Sequence, residues 1–265
     1  MKKKHVEYEM GLVTYVDILG FRELIRTKTA GEISRTIRVV KEAVQPHQSK
    51  FGFKKKLSGV PDVDYVNFSD LSIVSTPVRR PKALPLGSLV YQLIRLVHAQ
   101  AILIADEGIL IRGGITVGKL VKSWGQLFGP AIVRAYEIES KIAKSPRIVV
   151  GKEVFEELAI NSGLWVHDRE TEQESVRDLL RQDEDGELFI DYLRIIRNEL
   201  DDPGSDYEIF LNRHREIIKR GLVRYARRPK IRKKYEWMER YHRATLARLN
   251  AAAKTDAVDH IARKK

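Results

Sequence analysis

Seven residues near the N-terminus, Leu12-Val13-Thr14-Tyr15-Val16-Asp17-Ile18, form an apolar, β-branched run that carries a single carboxylate. Such a run reads as a buried strand, and Gly20 ends it. An ionised carboxylate inside a buried strand is costly unless something meets it. The chain must therefore fold so that Asp17 acquires company.

The elements that follow say where that company comes from. Phe21 to about Gln45 places Leu24, Ile25, Ile33, Ile37, Val40 and Ala43 at helical spacing. Pro46 to Pro61 is polar and basic and reads as a loop. Tyr65–Phe68 and Leu71–Ser75 read as two short strands around the tight turn Ser69-Asp70. Pro77 to Pro85 is a proline-broken connection, Ser88–Ala105 an amphipathic helix, and Ile109–Val117 a strand containing Gly113-Gly114. After a turn at Lys122–Gly125, Gly129–Ala143 reads as a helix and Arg147–Val150 as a strand. Val176–Leu180 and Glu187–Leu193 flank Asp185-Gly186 as a hairpin. From Asp206 onward the chain is charged and helical, divided at Pro229.

The order strand, helix, strand, strand, helix, strand predicts an α+β fold with a ferredoxin-like split βαβ core. We expect this core within residues 8–195 and a helical C-terminal extension over 196–265. In a split βαβ unit the first two strands run parallel with the third between them. The end of the first strand and the hairpin between the second and third then share one sheet edge. Asp17 and Asp70 are expected to become neighbours there.

Composition narrows the chemistry. With no cysteine, disulfides, thiolate metal sites and cysteine nucleophiles are excluded. The basic start Met1-Lys2-Lys3-Lys4-His5 precedes no uninterrupted apolar segment, and Ala101–Ile111 is broken by Asp106, Glu107 and Gly108. A cytoplasmic protein without a membrane partner is expected. The formal net charge of +12 is concentrated at one place. Arg213 to Lys234 holds eleven basic residues against one acidic, Glu216.

Two carboxylates at one edge call for a cation, and without cysteine or clustered histidine a hard divalent ion suits them. Two magnesium or manganese ions at such a pair activate a hydroxyl and stabilise a leaving phosphate oxygen. The backbone from Ile18 to Phe21 turns from strand to helix and is expected to present N–H groups to a triphosphate. Each aspartate alone reads equally well as a helix cap or a turn residue. Phe21 and Tyr65 could flank a base or pack in the core, and Arg112 could meet a phosphate or a carboxylate.

Val16-Asp17-Ile18-Leu19-Gly20-Phe21 resembles the first metal motif of class III nucleotidyl cyclases, and Phe68-Ser69-Asp70 their second. Leu110–Gly118 (LIRGGITVG), Phe128-Gly129 through Ser140, and Arg147–Val150 resemble the strand, helix and strand that follow. The resemblance implies that Asp17 and Asp70, with the Ile18 carbonyl, hold two Mn2+ or Mg2+ ions. It also implies an active site shared across a homodimer, with Gly20, Phe21, Tyr65 and Arg112 at the nucleotide. The sequence departs from that family at the base-reading lysine, where Val66 stands, and near Gln126. The family's helix asparagine and arginine are replaced by Val133 and Glu137, with Arg134 one residue out of place. A narrower resemblance is to the pyrimidine cyclases of the bacterial Pycsar antiphage system. They share the FSD hairpin, the RGGITVG strand, the FGPA helix start and a segment like Lys234-Tyr235-Glu236-Trp237 … Tyr241-His242. This implies conversion of UTP, or second to it CTP, to a 3′,5′-cyclic monophosphate that activates a separate effector. The alternatives are a nucleic-acid binder using Arg213–Lys234, for which no recognised motif is present, and a catalytically dead cyclase-like regulator.

Overall fold

The computed structural model describes residues 6–45, 64–78, 88–123 and 126–262. The expected loop at Pro46–Pro61 and most of the Pro77–Pro85 connection lie outside them. The chain forms two compact units, Met1–Ile195 and Ile196–Lys265.

The first unit is built on a mixed sheet. Its strands are β1 (Glu9–Ile18), β2 (Asp64–Phe68), β3 (Leu71–Pro77), β4 (Ile111–Ser123), β5 (Gln126–Phe128), β6 (Ile148–Val150), β7 (Leu180–Gln182) and β8 (Leu188–Ile190). They lie in the order β2-β3-β1-β4-β6-β8-β7, with β5 folded back on the end of β4. β3 runs antiparallel to both β1 and β2, and β4 antiparallel to β1. This is the split βαβ core that the element order predicts. β6 adds parallel to β4, and the β7–β8 hairpin extends that side.

Helices cover both faces. On one lie α2 (Ala30–Val44) and α3 (Leu89–Ile102), preceded in the chain by the short α1 (Phe21–Thr27). On the other lies α4 (Pro130–Glu137), packed on β1 and β4. Its Ala131 and Ala135 join Val13, Ile73 and Leu120 in an apolar cluster flanked by Tyr15, Val66 and Leu71. Further along are α5 (Lys152–Ile160), α6 (Arg169–Asp178) and α7 (Tyr192–Ile195). One helical stretch, Leu89–Glu107, is long and apolar enough to cross a membrane. Leu89, Leu93, Leu96 and Val97 on it are completely buried, as befits the core helix of a folded domain.

Several local expectations are corrected. The single helix expected over Phe21–Gln45 is two, because Thr29 begins a second one. The Thr29 hydroxyl accepts from the Glu32 amide at 3.3 Å, and the Glu32 carboxylate accepts from the Thr29 amide at 2.9 Å. The helices ending near Ala105 and Ala143 close in π-turns, Leu103–Glu107 and Ile138–Ile142, where the hydrogen-bond span widens by one residue. Val176–Asp178 are helical, not strand: the Asp168 side chain caps α6 by accepting from the Thr171 amide at 2.9 Å. Only Leu180–Gln182 and Leu188–Ile190 pair in the hairpin, and Tyr192 and Leu193 belong to α7. Lys122 and Ser123, expected in a turn, end β4.

The second unit contains α8 (Ser205–Arg224) and α9 (Pro229–Ala262), with Pro229 opening α9 at a helical position where its missing N–H costs nothing. They run antiparallel. His214 stacks on His242 and Tyr225 on Tyr235, with ring centroids 5.1 and 5.6 Å apart. Trp237, Met238, Tyr241 and His242 are buried, so the Lys234–His242 segment is a packing face of this hairpin.

Candidate active site

Register puts the carboxylates together. Asp17, next to last in β1, is paired with Leu71 on β3 and with Arg112 on β4. The Ile18 amide donates to the Asp70 carbonyl at 3.3 Å, which fixes the Ser69-Asp70 turn against the strand end. Ser69 takes a left-handed conformation, φ 57°. A non-glycine residue holds that at a cost of about 1–2 kcal/mol, and the tight turn delivers Asp70 to Asp17. The two carboxyl side chains share a hydrogen bond.

Electrostatics at the pair are severe. Burial, then the hydrogen bond to Asp70, push the Asp17 carboxyl from 3.8 up to about 7, with Glu139 and Asp70 adding repulsion and Arg112 pulling the other way. The Arg112 guanidinium donates from Nε and Nη2 to Asp17 Oδ2, both at 3.1 Å. The same Nη2 lies 2.6 Å from Glu139 Oε1. Arg112 therefore bridges two carboxylates, the outcome in which it meets acids of its own fold. Burial, with Glu139 and Asp17 next, also lifts the Tyr15 hydroxyl to about 12, so it stays protonated beside them.

Glu139 has no role in the sequence reading, and its burial could not be seen there. It sits in the π-turn after α4 with its side chain only 4% exposed. Gly114 brings that turn close. A Cβ on Gly114 would lie 2.6 Å from the Ala135 carbonyl oxygen and 2.7 Å from Ile138 Cβ. The one sequence trace is its place four residues after Ala135 at helical spacing, which Glu137 beside it makes indistinct.

The remaining expected residues divide. Gly20 lies at the strand-to-helix turn with φ 86°, and its carbonyl accepts from Glu23 and Leu24 at 2.9 and 3.2 Å. Phe21 opens α1 and is buried. Two of the amides in this turn are engaged within the fold. The Ile18 amide is spent on Asp70, and the Leu19 amide on the Leu110 carbonyl at 2.8 Å. Tyr65 is not brought to the carboxylates. Cross-strand partners share a face, so Val66, paired to Ile73, lies on the Asp17 face, and Tyr65 on the opposite one. There its hydroxyl meets Asn67 and Ser72 at 3.1 and 3.0 Å, and Lys41 of α2 lies over its ring. Arg134 is engaged elsewhere, donating to Glu153 Oε1 at 2.5 Å. Phe68, 76% exposed beside the turn, shares the Asp17 face.

Among the described residues no group of three or more His, Cys, Asp or Glu is placed to hold a metal. Two carboxylates and a neighbouring backbone carbonyl do fit a hard divalent ion whose other ligands are water and phosphate oxygens, the usual manner of magnesium.

No protein-family profile matches the chain, and no curated protein matches it. Solved structures similar to it include the adenylyl cyclase CyaB from P. aeruginosa, with 13% identity and a TM-score of 0.46 over 70% of this chain and 95% of that one. The adenylate/guanylate cyclase/hydrolase from Silicibacter pomeroyi has 17% identity and a TM-score of 0.38 over 57% and 81%. The guanylyl cyclase Cya2 has 13% identity and a TM-score of 0.38 over 70% and 92%. At these values the likenesses assign no chemistry, which rests on the carboxylate pair itself.

Proposed function

We propose that this chain is a nucleotidyl cyclase that converts UTP or CTP to the 3′,5′-cyclic monophosphate and pyrophosphate. The observation that carries the reading is the meeting of Asp17 and Asp70. A strand end and a hairpin turn, 53 positions apart in sequence, bring two carboxylates together at a burial that ordinary surface aspartates avoid. Asp17, Asp70 and the Ile18 carbonyl would hold two Mn2+ or Mg2+ ions. When bound, such ions activate the attacking hydroxyl and neutralise charge on the leaving oxygen. Arg112, held by both Asp17 and Glu139, would keep Asp17 in place for the ions. The nucleotide's O3′ bonds the α-phosphorus, its proton departs, and the bond to the β-phosphate oxygen breaks. Because the family's usual helix asparagine and arginine are absent, the burden of charge stabilisation falls on the carboxylate-held ions.

The pyrimidine preference is supported by Val66. It lies on the Asp17 face at the position of the family's base-reading lysine, and its short apolar side chain cannot donate to a purine edge. Tyr65, on the other face, takes no part in this selection. A site without the needed donor discriminates by about 100-fold or more. By the same resemblance the active unit is a homodimer, and its product is a second messenger for a separate effector in antiphage defence. The test is incubation with each of the four ribonucleoside triphosphates and Mn2+, with products identified by mass spectrometry. Cyclic UMP or cyclic CMP is expected, about 100-fold or more above any purine product. ATP turned over as fast as the better pyrimidine would end the pyrimidine assignment, and no cyclic product from any nucleotide would end the enzymatic one.

A further inference from the structure

The charge concentration at Arg213–Lys234 has no part in the proposed reaction, and the fold of the second unit gives it a shape. From Lys219 to Lys234 the chain has nine basic residues and no acidic one. α8 ends at Arg224 and α9 begins at Pro229, so the two halves of this stretch meet at one end of the antiparallel hairpin. At 1.5 Å per residue, the last six residues of α8 and the first six of α9 each span about 9 Å. Nine cations are thereby gathered within about 10 Å of the hairpin tip. Lys219, Arg220, Arg224, Arg227, Lys230 and Lys233 are exposed.

This arrangement works against the fold that carries it. The first turn of α9 holds no acidic residue, and cations there face the positive end of the helix dipole. Like charges crowd one another across the turn. Acidic residues are present on the same helices but away from the tip: Glu208 and Glu216 on α8, Glu236 and Glu239 on α9. Of the tip cations, Arg232 is tied to Glu236 at 2.8 Å. The α8 dipole accounts for Arg224 in its last turn but not for the cations that open α9, whereas an extended polyanion accounts for both.

We infer that the tip of the α8–α9 hairpin is a docking surface for the phosphate backbone of nucleic acid. A duplex carries one negative charge per ~1.7 Å of axis, so a short stretch matches the cations without base readout. A membrane surface fits less well. Helices that insert into a bilayer surface pair their charge with bulky apolar side chains. Val223 is exposed at the tip, while Tyr225 and Tyr235 are half-buried and stacked on each other. This inference is independent of the chemistry at Asp17 and Asp70.

The test is fluorescence anisotropy of the full chain with a short random-sequence DNA duplex across a range of salt. A tip variant combines Arg224→Gln, Arg227→Gln, Lys230→Gln and Lys233→Gln. A control variant removes the same charge farther along the hairpin, at Arg215, Arg240, Arg243 and Arg248, also to Gln. Losing four phosphate contacts lowers the slope of log K against log salt by about 3 to 4. The fall in affinity between ~50 and ~200 mM salt should therefore shrink about 100-fold for the tip variant, and far less for the control. Circular dichroism checks that both variants stay helical. If the tip variant unfolds, the Lys230→Gln/Lys233→Gln pair is read instead, with about half the change in slope. Equal effects from tip and control, duplex affinity insensitive to salt, or tip-dependent binding to phosphatidylserine vesicles but not to the duplex would each overturn the inference.

Discussion

Replacing Asp17 by asparagine should stabilise the metal-free protein while destroying its site, a combination that a merely structural aspartate would not give. In the folded chain burial and Asp70 raise the Asp17 carboxyl from 3.8 to about 7. A raised folded value means that Asp17 favours folding fully at pH below the unfolded value, and that this contribution is lost as pH rises through about 7. The full rise corresponds to about 4 kcal/mol against ionisation. The rise to about 7 already includes the opposing pull of Arg112, which keeps Glu139 as its partner in the variant. The gain from asparagine at pH 8 is therefore at most about 4 kcal/mol, and half of that shifts the melting temperature by roughly 4–8 °C. At pH 4 the gain should vanish, because wild-type Asp17 is then protonated. With millimolar Mn2+ the order should invert, since only wild type gains stability by binding the ion. Differential scanning fluorimetry at both pH values, with and without Mn2+, reads all of this. An Asp17→Asn protein that is destabilised at pH 8 without metal, or stabilised by Mn2+ as strongly as wild type, would refute the reasoning.

Glu139→Gln should weaken Mn2+ binding about fivefold or more by calorimetry, because Arg112 then falls wholly to Asp17 and competes with the ion; in an Arg112→Gln background the same change should have little effect, the non-additivity expected of groups acting through each other. Gly114→Ala should cost about 1–3 kcal/mol in urea unfolding, since its Cβ meets the Ala135 carbonyl, which is backbone and cannot yield; unchanged stability would contradict the packing of α4 on β4. Burial holds the stacked His214 and His242 near 3 and 4 respectively, below their usual 6.5. Depressed histidines stabilise above the unfolded value and lose that contribution as pH falls, by up to about 1.4 kcal/mol per pH unit for each ring. Helical circular dichroism of the chain should therefore weaken in thermal stability between pH 6.5 and 4, and His214→Phe/His242→Leu should flatten that dependence.

What the sequence determined by itself was local pattern and element order. The β-branched run around Asp17, the Ser69-Asp70 turn and the breaks at Gly20 and Pro229 each follow from steric preferences of a few adjacent residues. The order of elements then made the split βαβ core, and with it the neighbourhood of Asp17 and Asp70, legible without any three-dimensional information. Strand pairing and face were another matter. Tyr65 and Val66 are adjacent and look equally available, yet period-two alternation sends them to opposite faces, and only the pairing with Ile73 and Val74 tells which face holds Asp17. The bridge from Arg112 to Glu139 joins residues from a strand and a π-turn, whose extra residue no periodicity announces. The buried charge cluster was decided by tertiary packing because desolvation depends on what lies above a residue, and Gly114 lets a helix lie there.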